Sequence, residues 1–168
     1  LDGQRTPRIE ALSKSLMAAG FKAPVSRDIR SEIWVKLWGN LSFNPISALT
    51  HATLEEICRF PPSRDLVARM MSEARSVGEK LGVEFKVSLD QRIAGAESVG
   101  AHKTSMLQDV EHGRALELQA LVGSVVELAR ITDVKQSAAG YDNYRQWTSN
   151  TQLEQQVSLE DYSVSNRG

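Results

Sequence analysis

The chain has 168 residues, 41% of them hydrophobic and 24% charged, and a net charge of −1. That is enough for one domain with a real core, and the charge balance gives no electrostatic footprint for nucleic acid or an anionic membrane. No apolar run reaches the ~20 residues of a membrane span, and the single cysteine, Cys58, excludes an internal disulfide. A lone cysteine without a flanking base reads as an inert, partly buried thiol in a reducing, cytoplasmic setting.

In chain order the pattern is helical almost throughout. Thr6-Pro7 supplies an N-cap and a proline at the first helical position. Ile9, Leu12, Leu16 and Met17 then mark an apolar face that ends at Gly20. The first residues, Leu1 to Arg5, do not have a signal-peptide pattern. After an extended link through Pro24, Ser26 is placed to cap a helix running from about 27 towards 44. Pro45 is expected to end or kink that helix, because it has no N–H and clashes with the preceding turn. Thr53 with Glu56 makes a capping box, and Pro61-Pro62 is expected to stop the short helix it opens. Ser63 is the expected cap of the next helix, whose inner face is Leu66, Val67, Met70, Met71, Ala74, Val77 and Leu81. Residues 83–87 alternate like a strand but are too short and isolated to define a sheet. Ser88 or Asp90 can cap a helix to about Val99, and two more helices are expected over 105–112 and 115–131 with Gly113 between them. From Gln136 onward the composition turns to Gln, Ser, Asn and Tyr without a period, which reads as a poorly ordered tail over 136–168. The fold class is all-α.

The densest chemical information lies in the segment from Trp34 to Pro45. Lys36, Asn40 and Asn44 stand four apart, so a helix aligns them in one polar stripe. Around them are Ile33, Trp34, Leu37, Trp38, Leu41 and Phe43. A lysine and two amides in such a surface cost free energy unless they find partners, which marks them as a candidate substrate site. A lysine in an apolar wall is suited to protonating a carbonyl oxygen, since desolvation brings an ammonium nearer neutrality. Amides beside it can orient hydroxyl groups. Eight helical residues cover about 12 Å of axis and drift about 80° around it, so a kink at Pro45 is the expected means of swinging Asn44 towards Lys36. Read alone, Lys-x-x-x-Asn also describes a snorkelling lysine and a surface amide. By the same standard Ser105 reads as a helix cap, Asp109 as a partner-bound structural residue and Glu117 as a helix-surface carboxylate. Trp34 and Trp38 read as core or domain-interface packing. His51, His102 and His112 do not have metal-site spacing.

Several motifs occurring in order shift that balance. Asp2-Gly3 with Thr6-Pro7-Arg8 and Ala19-Gly20-Phe21 come first. Next are Ile29-Arg30, Trp34-Val35-Lys36, Asn40, Asn44-Pro45 and Ala48-Leu49-Thr50. The run Thr104-Ser105-Met106-Leu107-Gln108-Asp109 follows, then Gly113, Glu117 and Gly123. Over residues 2–135 this resembles the C-terminal domain of the ketopantoate reductase (2-dehydropantoate 2-reductase) family. The resemblance implies a helical bundle like the C-terminal domain of 6-phosphogluconate dehydrogenase, and NADPH-dependent reduction of 2-dehydropantoate to pantoate, a step towards pantothenate and coenzyme A. It implies Lys36 as proton donor, Asn40 and Asn44 on the substrate's hydroxyl end, and Ser105 on its carboxylate. Glu117 would position Lys36 or contact the cofactor ribose and the substrate.

None of the eleven glycines forms Gly-x-Gly-x-x-Gly, so the chain is not expected to bind NADPH productively by itself. The expected partners are a small 2-oxoacid, a nucleotide-binding domain in cis or trans, and a second copy in a homodimer. Two rival expectations stand beside this one. The first is a paralogous 2-oxoacid reductase fragment. The second is a non-enzymatic helical self-association module, with Trp34 or Trp38 exposed where another domain docks.

Overall fold

The computed structural model describes residues 4–135; the tail expected over 136–168 lies outside them. Seven α-helices follow one another, and the described residues contain no strand. They are α1 (Pro7–Ala18), α2 (Ile29–Thr50), α3 (Leu54–Arg59), α4 (Pro61–Lys80), α5 (Leu89–Ser98), α6 (Ser105–Glu111) and α7 (Ser124–Ile131). A π-helical turn over Gln119–Gly123 runs directly into α7.

The 22-residue α2 is the spine, with α3, α4, α6 and the π turn packed against it. Trp34 and Trp38 project into the core with Met71, Val67 and Val77 of α4, Ile93 of α5 and Val125 and Ala129 of α7. Trp38, Val67, Met71 and Val77 are fully enclosed, and burying each such side chain contributes about 1.5–3 kcal/mol. Both tryptophans therefore serve the core, which removes them as an exposed docking surface. Met106 and Leu118 form a second cluster with Ala48, tying α6 to the last turn of α2. In α1 the apolar face remains exposed at Ile9, Leu12, Leu16 and Met17; Ser13 alone is buried there, donating to the Ala23 carbonyl at 2.6 Å. Cys58 is buried, and desolvation pushes its thiol pKa up, reinforced by Glu97 and opposed by Arg64.

Several caps follow the sequence. Thr6 accepts from the Ile9 amide, and Thr53 and Glu56 close a reciprocal capping box. Ser88 does the same with Gln91, which settles the cap of α5 in favour of Ser88 over Asp90. The cap of α2 is Asp28, not Ser26, because its carboxylate accepts from the Ser31 amide at 3.1 Å. Ser26 instead donates to Glu32 at 2.6 Å.

Pro45 does not end α2, which continues to Thr50 before His51 turns left-handed at φ 57°. An interior proline costs a helix about 3 kcal/mol. Every residue from 41 to 48 is buried, so packing on all sides of the helix outweighs that cost. The short α3 ends at Arg59, just before Pro61-Pro62 as expected, and the same two prolines begin α4, since the first helical N–H groups have no intrahelical partner to lose. Ser63 does not cap α4; its hydroxyl lies over the end of α3, donating to the carbonyls of Ile57 and Phe60. Residues 83–87 show the alternating burial of a strand without a strand partner. Their anchor is Phe85, which meets Trp38 edge-on with ring centroids 4.8 Å apart and fills the space that a side chain at Gly78 would need. The expected helix over 115–131 is shorter: 114–117 are irregular, and the π turn precedes α7.

Candidate active site

The polar stripe of α2 faces a cleft of about 430 Å³ between α2, α5 and the start of α6. Lys36, Asn40, Asn44 and Ser105 all line it. Because α2 stays helical through Pro45, the stripe keeps its four-residue spacing, and no swing of Asn44 is needed for all three residues to share one cavity.

The stripe grades from solvent to core. Lys36 is exposed, Asn40 is half-buried and Asn44 is only 6% exposed. The expected desolvation of Lys36 is thus absent in this chain. Among the described residues none of these three side chains has a hydrogen bond or ion pair. A buried amide without a partner costs on the order of 1–3 kcal/mol, and among the described residues Asn44 carries that cost.

Ser105 is delivered by a pinned loop. Leu54 N–H donates to the His102 carbonyl at 3.0 Å, and Glu55 N–H to that of Gly100 at 3.3 Å. Lys103 reaches Glu111 at 2.6 Å, which holds the Glu111 carboxyl below its ordinary range. The cap of α6 is Thr104, whose hydroxyl accepts from Leu107 N–H at 3.2 Å. Ser105 is consequently not a cap. It is the first residue of the helix, exposed, with its hydroxyl uncommitted among the described residues. Asp109 pairs with Arg114 at 3.5 Å and stays outside the cleft.

Glu117 is not brought into the cleft. It is exposed in the irregular segment before the π turn, makes no side-chain bond to Lys36, and its carbonyl accepts from Leu121 N–H at 2.9 Å. It is therefore not a helix-surface carboxylate. Among the described residues no group of three or more His, Cys, Asp or Glu is placed to hold a metal, and no helix is long and apolar enough to cross a membrane.

The lining residues that sequence reading did not place in the site include Gly39, Arg92 and His102. Gly39 and Arg92 form a unit. A side chain at Gly39 would stand 2.9 Å from Cζ and 3.3 Å from Nε of Arg92, so the guanidinium lies directly over the glycine. Arg92 comes from α5, 53 positions beyond Gly39, and no local spacing signals it.

Comparison with known proteins gives the family. Residues 28–138 match the family model described as ketopantoate reductase PanE/ApbA C terminal. The chain is 56% identical over 131 residues to a 2-dehydropantoate 2-reductase of Mesorhizobium japonicum, covering 78% of this chain and 40% of that protein. It is 31% identical over 127 residues to the enzyme of that name from Archaeoglobus fulgidus, covering 76% of this chain and 43% of the relative. It superimposes with TM-score 0.75 and 36% identity on a Ralstonia solanacearum protein assigned as a ketopantoate reductase, over 80% of this chain and 40% of the other. The chain thus spans about two fifths of the length of the relatives it matches. The matched region contains the whole polar stripe together with Ser105 and Glu117, and the chain belongs to the ketopantoate reductase family, within its C-terminal helical domain.

Proposed function

We propose that this chain is the substrate-binding half of an NADPH-dependent 2-dehydropantoate 2-reductase, inactive without a nucleotide-binding half in cis or trans. The carrying observation is that Lys36, Asn40, Asn44 and Ser105 line one cleft with no partners among the described residues. A cleft of about 430 Å³ suits a small metabolite.

Reduction of the ketone places negative charge on its oxygen, and Lys36 Nζ donates the proton that turns it into a hydroxyl. Asn40 and Asn44 can donate to and accept from the substrate's hydroxyl end, which satisfies the buried Asn44 amide. Ser105 donates to the carboxylate. When bound, the nicotinamide supplies the hydride to the carbonyl carbon. The chain's own fit to that cofactor is limited: no Gly-rich turn for a pyrophosphate occurs in the sequence. Glu117 is the residue offered to a cofactor ribose or, after domain closure, to Lys36. Closure over the cleft also excludes water, and so supplies the desolvation that the exposed Lys36 lacks.

The test is NADPH-dependent reduction of 2-dehydropantoate by this chain alone and joined behind a family nucleotide-binding domain. Turnover is expected only in the joined protein, and Lys36→Ala should lower it by about 10²–10⁴-fold. Full turnover by the Lys36→Ala protein removes the proton-donor role. No turnover by a folded, NADPH-binding joined protein removes the substrate assignment.

A further inference from the structure

We propose that Arg92 holds the carboxylate of the 2-oxoacid, and that position 39 is glycine so that the Arg92 guanidinium can lie against α2 beside Lys36. This rests on the reading of the cleft as a 2-oxoacid site and adds a recognition residue to it.

The first observation is charge. The residues lining the cleft include two basic side chains, Lys36 and Arg92, and no Asp or Glu. Neighbouring arginines are spoken for: Arg59 pairs with Glu55 and Glu97, and Arg64 with Glu97. The Arg92 side chain has no ion pair or hydrogen bond among the described residues, although the residue is half-buried. Two basic side chains in one cleft repel each other, and an anion bound between them relieves that repulsion.

The second observation is position. Gly39 is one helical turn beyond Lys36, so the surface above Gly39 neighbours the Lys36 side chain, at about 5–6 Å between Cβ positions. The guanidinium over Gly39 approaches what would be a Cβ so closely that an alanine there must displace it. In a 2-oxoacid the ketone and the carboxylate sit on adjacent carbons. Lys36 at the ketone oxygen therefore requires a carboxylate receptor one short step away, and Arg92 occupies that place. The planar fork of an arginine matches a carboxylate with two parallel hydrogen bonds, and a lysine cannot reproduce this. Contact with the helix backbone fixes the fork before the ligand arrives, which lowers the ordering cost of binding. Ser105, on the same cleft, is left to donate a further bond to the same group.

The assignment predicts selectivity for acids over neutral ketones. The probes are 2-dehydropantoate and its methyl ester, titrated into the full chain while the side-chain amide signals of Asn40 and Asn44 are followed by NMR. The acid is expected to bind at least about tenfold tighter than the ester, the ratio for one charge-assisted contact. Arg92→Met should bring the two affinities to parity. Gly39→Ala should reduce the ratio in the same direction without lowering the urea midpoint, since alanine favours the helix and only the guanidinium is displaced. Lys36→Met should weaken both probes alike. An acid preference that survives in Arg92→Met overturns the role of Arg92 and leaves the cleft assignment standing. Failure of both probes to move either asparagine signal in the folded chain overturns the cleft assignment as well.

Discussion

The indole N–H of Trp38 donates to the backbone carbonyl of Met71 across 2.5 Å, joining the middle of α2 to the middle of α4. The bond fixes how far α2 is rotated about its own axis. Trp38 points into the core, and Lys36, Asn40 and Asn44 must then face the cleft. Trp38→Phe keeps an aromatic ring against Phe85 but removes the N–H and leaves a void. The expected loss of stability is about 2 kcal/mol, read as a lower urea midpoint with unchanged slope. A loss under about 0.5 kcal/mol would show that the bond contributes little beyond packing.

Two helix caps and one ion pair make the fold sensitive to acid. Asp28 is held below its ordinary pKa by the Ser31 side chain and amide, Glu56 by the Thr53 amide and hydroxyl, and Glu111 by Lys103. Each has a folded pKa below its unfolded value, so the native state binds fewer protons. The stabilisation is present above the ordinary carboxylate range and is lost as the pH falls through the depressed folded values. The expected outcome is that Glu56→Ala is less stable than the parent at neutral pH, and that the gap closes as the pH falls below about 4. Urea midpoints measured across that range check it. A gap of constant size at every pH would mean that the carboxylate's charge is not what holds the cap.

How much of this was readable in advance depended on the range of the forces involved. The stripe of Lys36, Asn40 and Asn44 was legible because four-residue spacing is a property of any helix, and the Thr53–Glu56 box because both partners lie within one turn. Of the two expectations for Pro45, an end or a kink, the end does not occur, because the burial of 41–48 outweighs the local rule and α2 runs on to Thr50. Pro61-Pro62 is legible as the stop of α3 but not as the start of α4, because the same residue type stops one helix and starts the next. The length of the helix before Ile131 was misjudged because periodicity does not register a π turn. Arg92 was illegible for a different reason: its role depends on a glycine on another helix, and only the packing of α5 on α3 and α4 brings its side chain over Gly39.

Asn44 separates stability from function most sharply. Its side chain is 6% exposed, lines the cleft and has no hydrogen-bond partner among the described residues. The fold alone would be better served there by an apolar group of similar size. Asn44→Leu is therefore expected to stabilise the chain by about 1–3 kcal/mol, visible as a raised urea midpoint. The same substitution should weaken 2-dehydropantoate binding, because the substrate's hydroxyl end then meets a methyl group instead of an amide. Such opposed effects mark a residue kept for ligand binding at the expense of folding. A fall in stability would mean that the amide is satisfied within the folded chain in solution, and it would take Asn44 out of the substrate-binding set while leaving Lys36, Asn40 and Ser105 to be judged by their own variants.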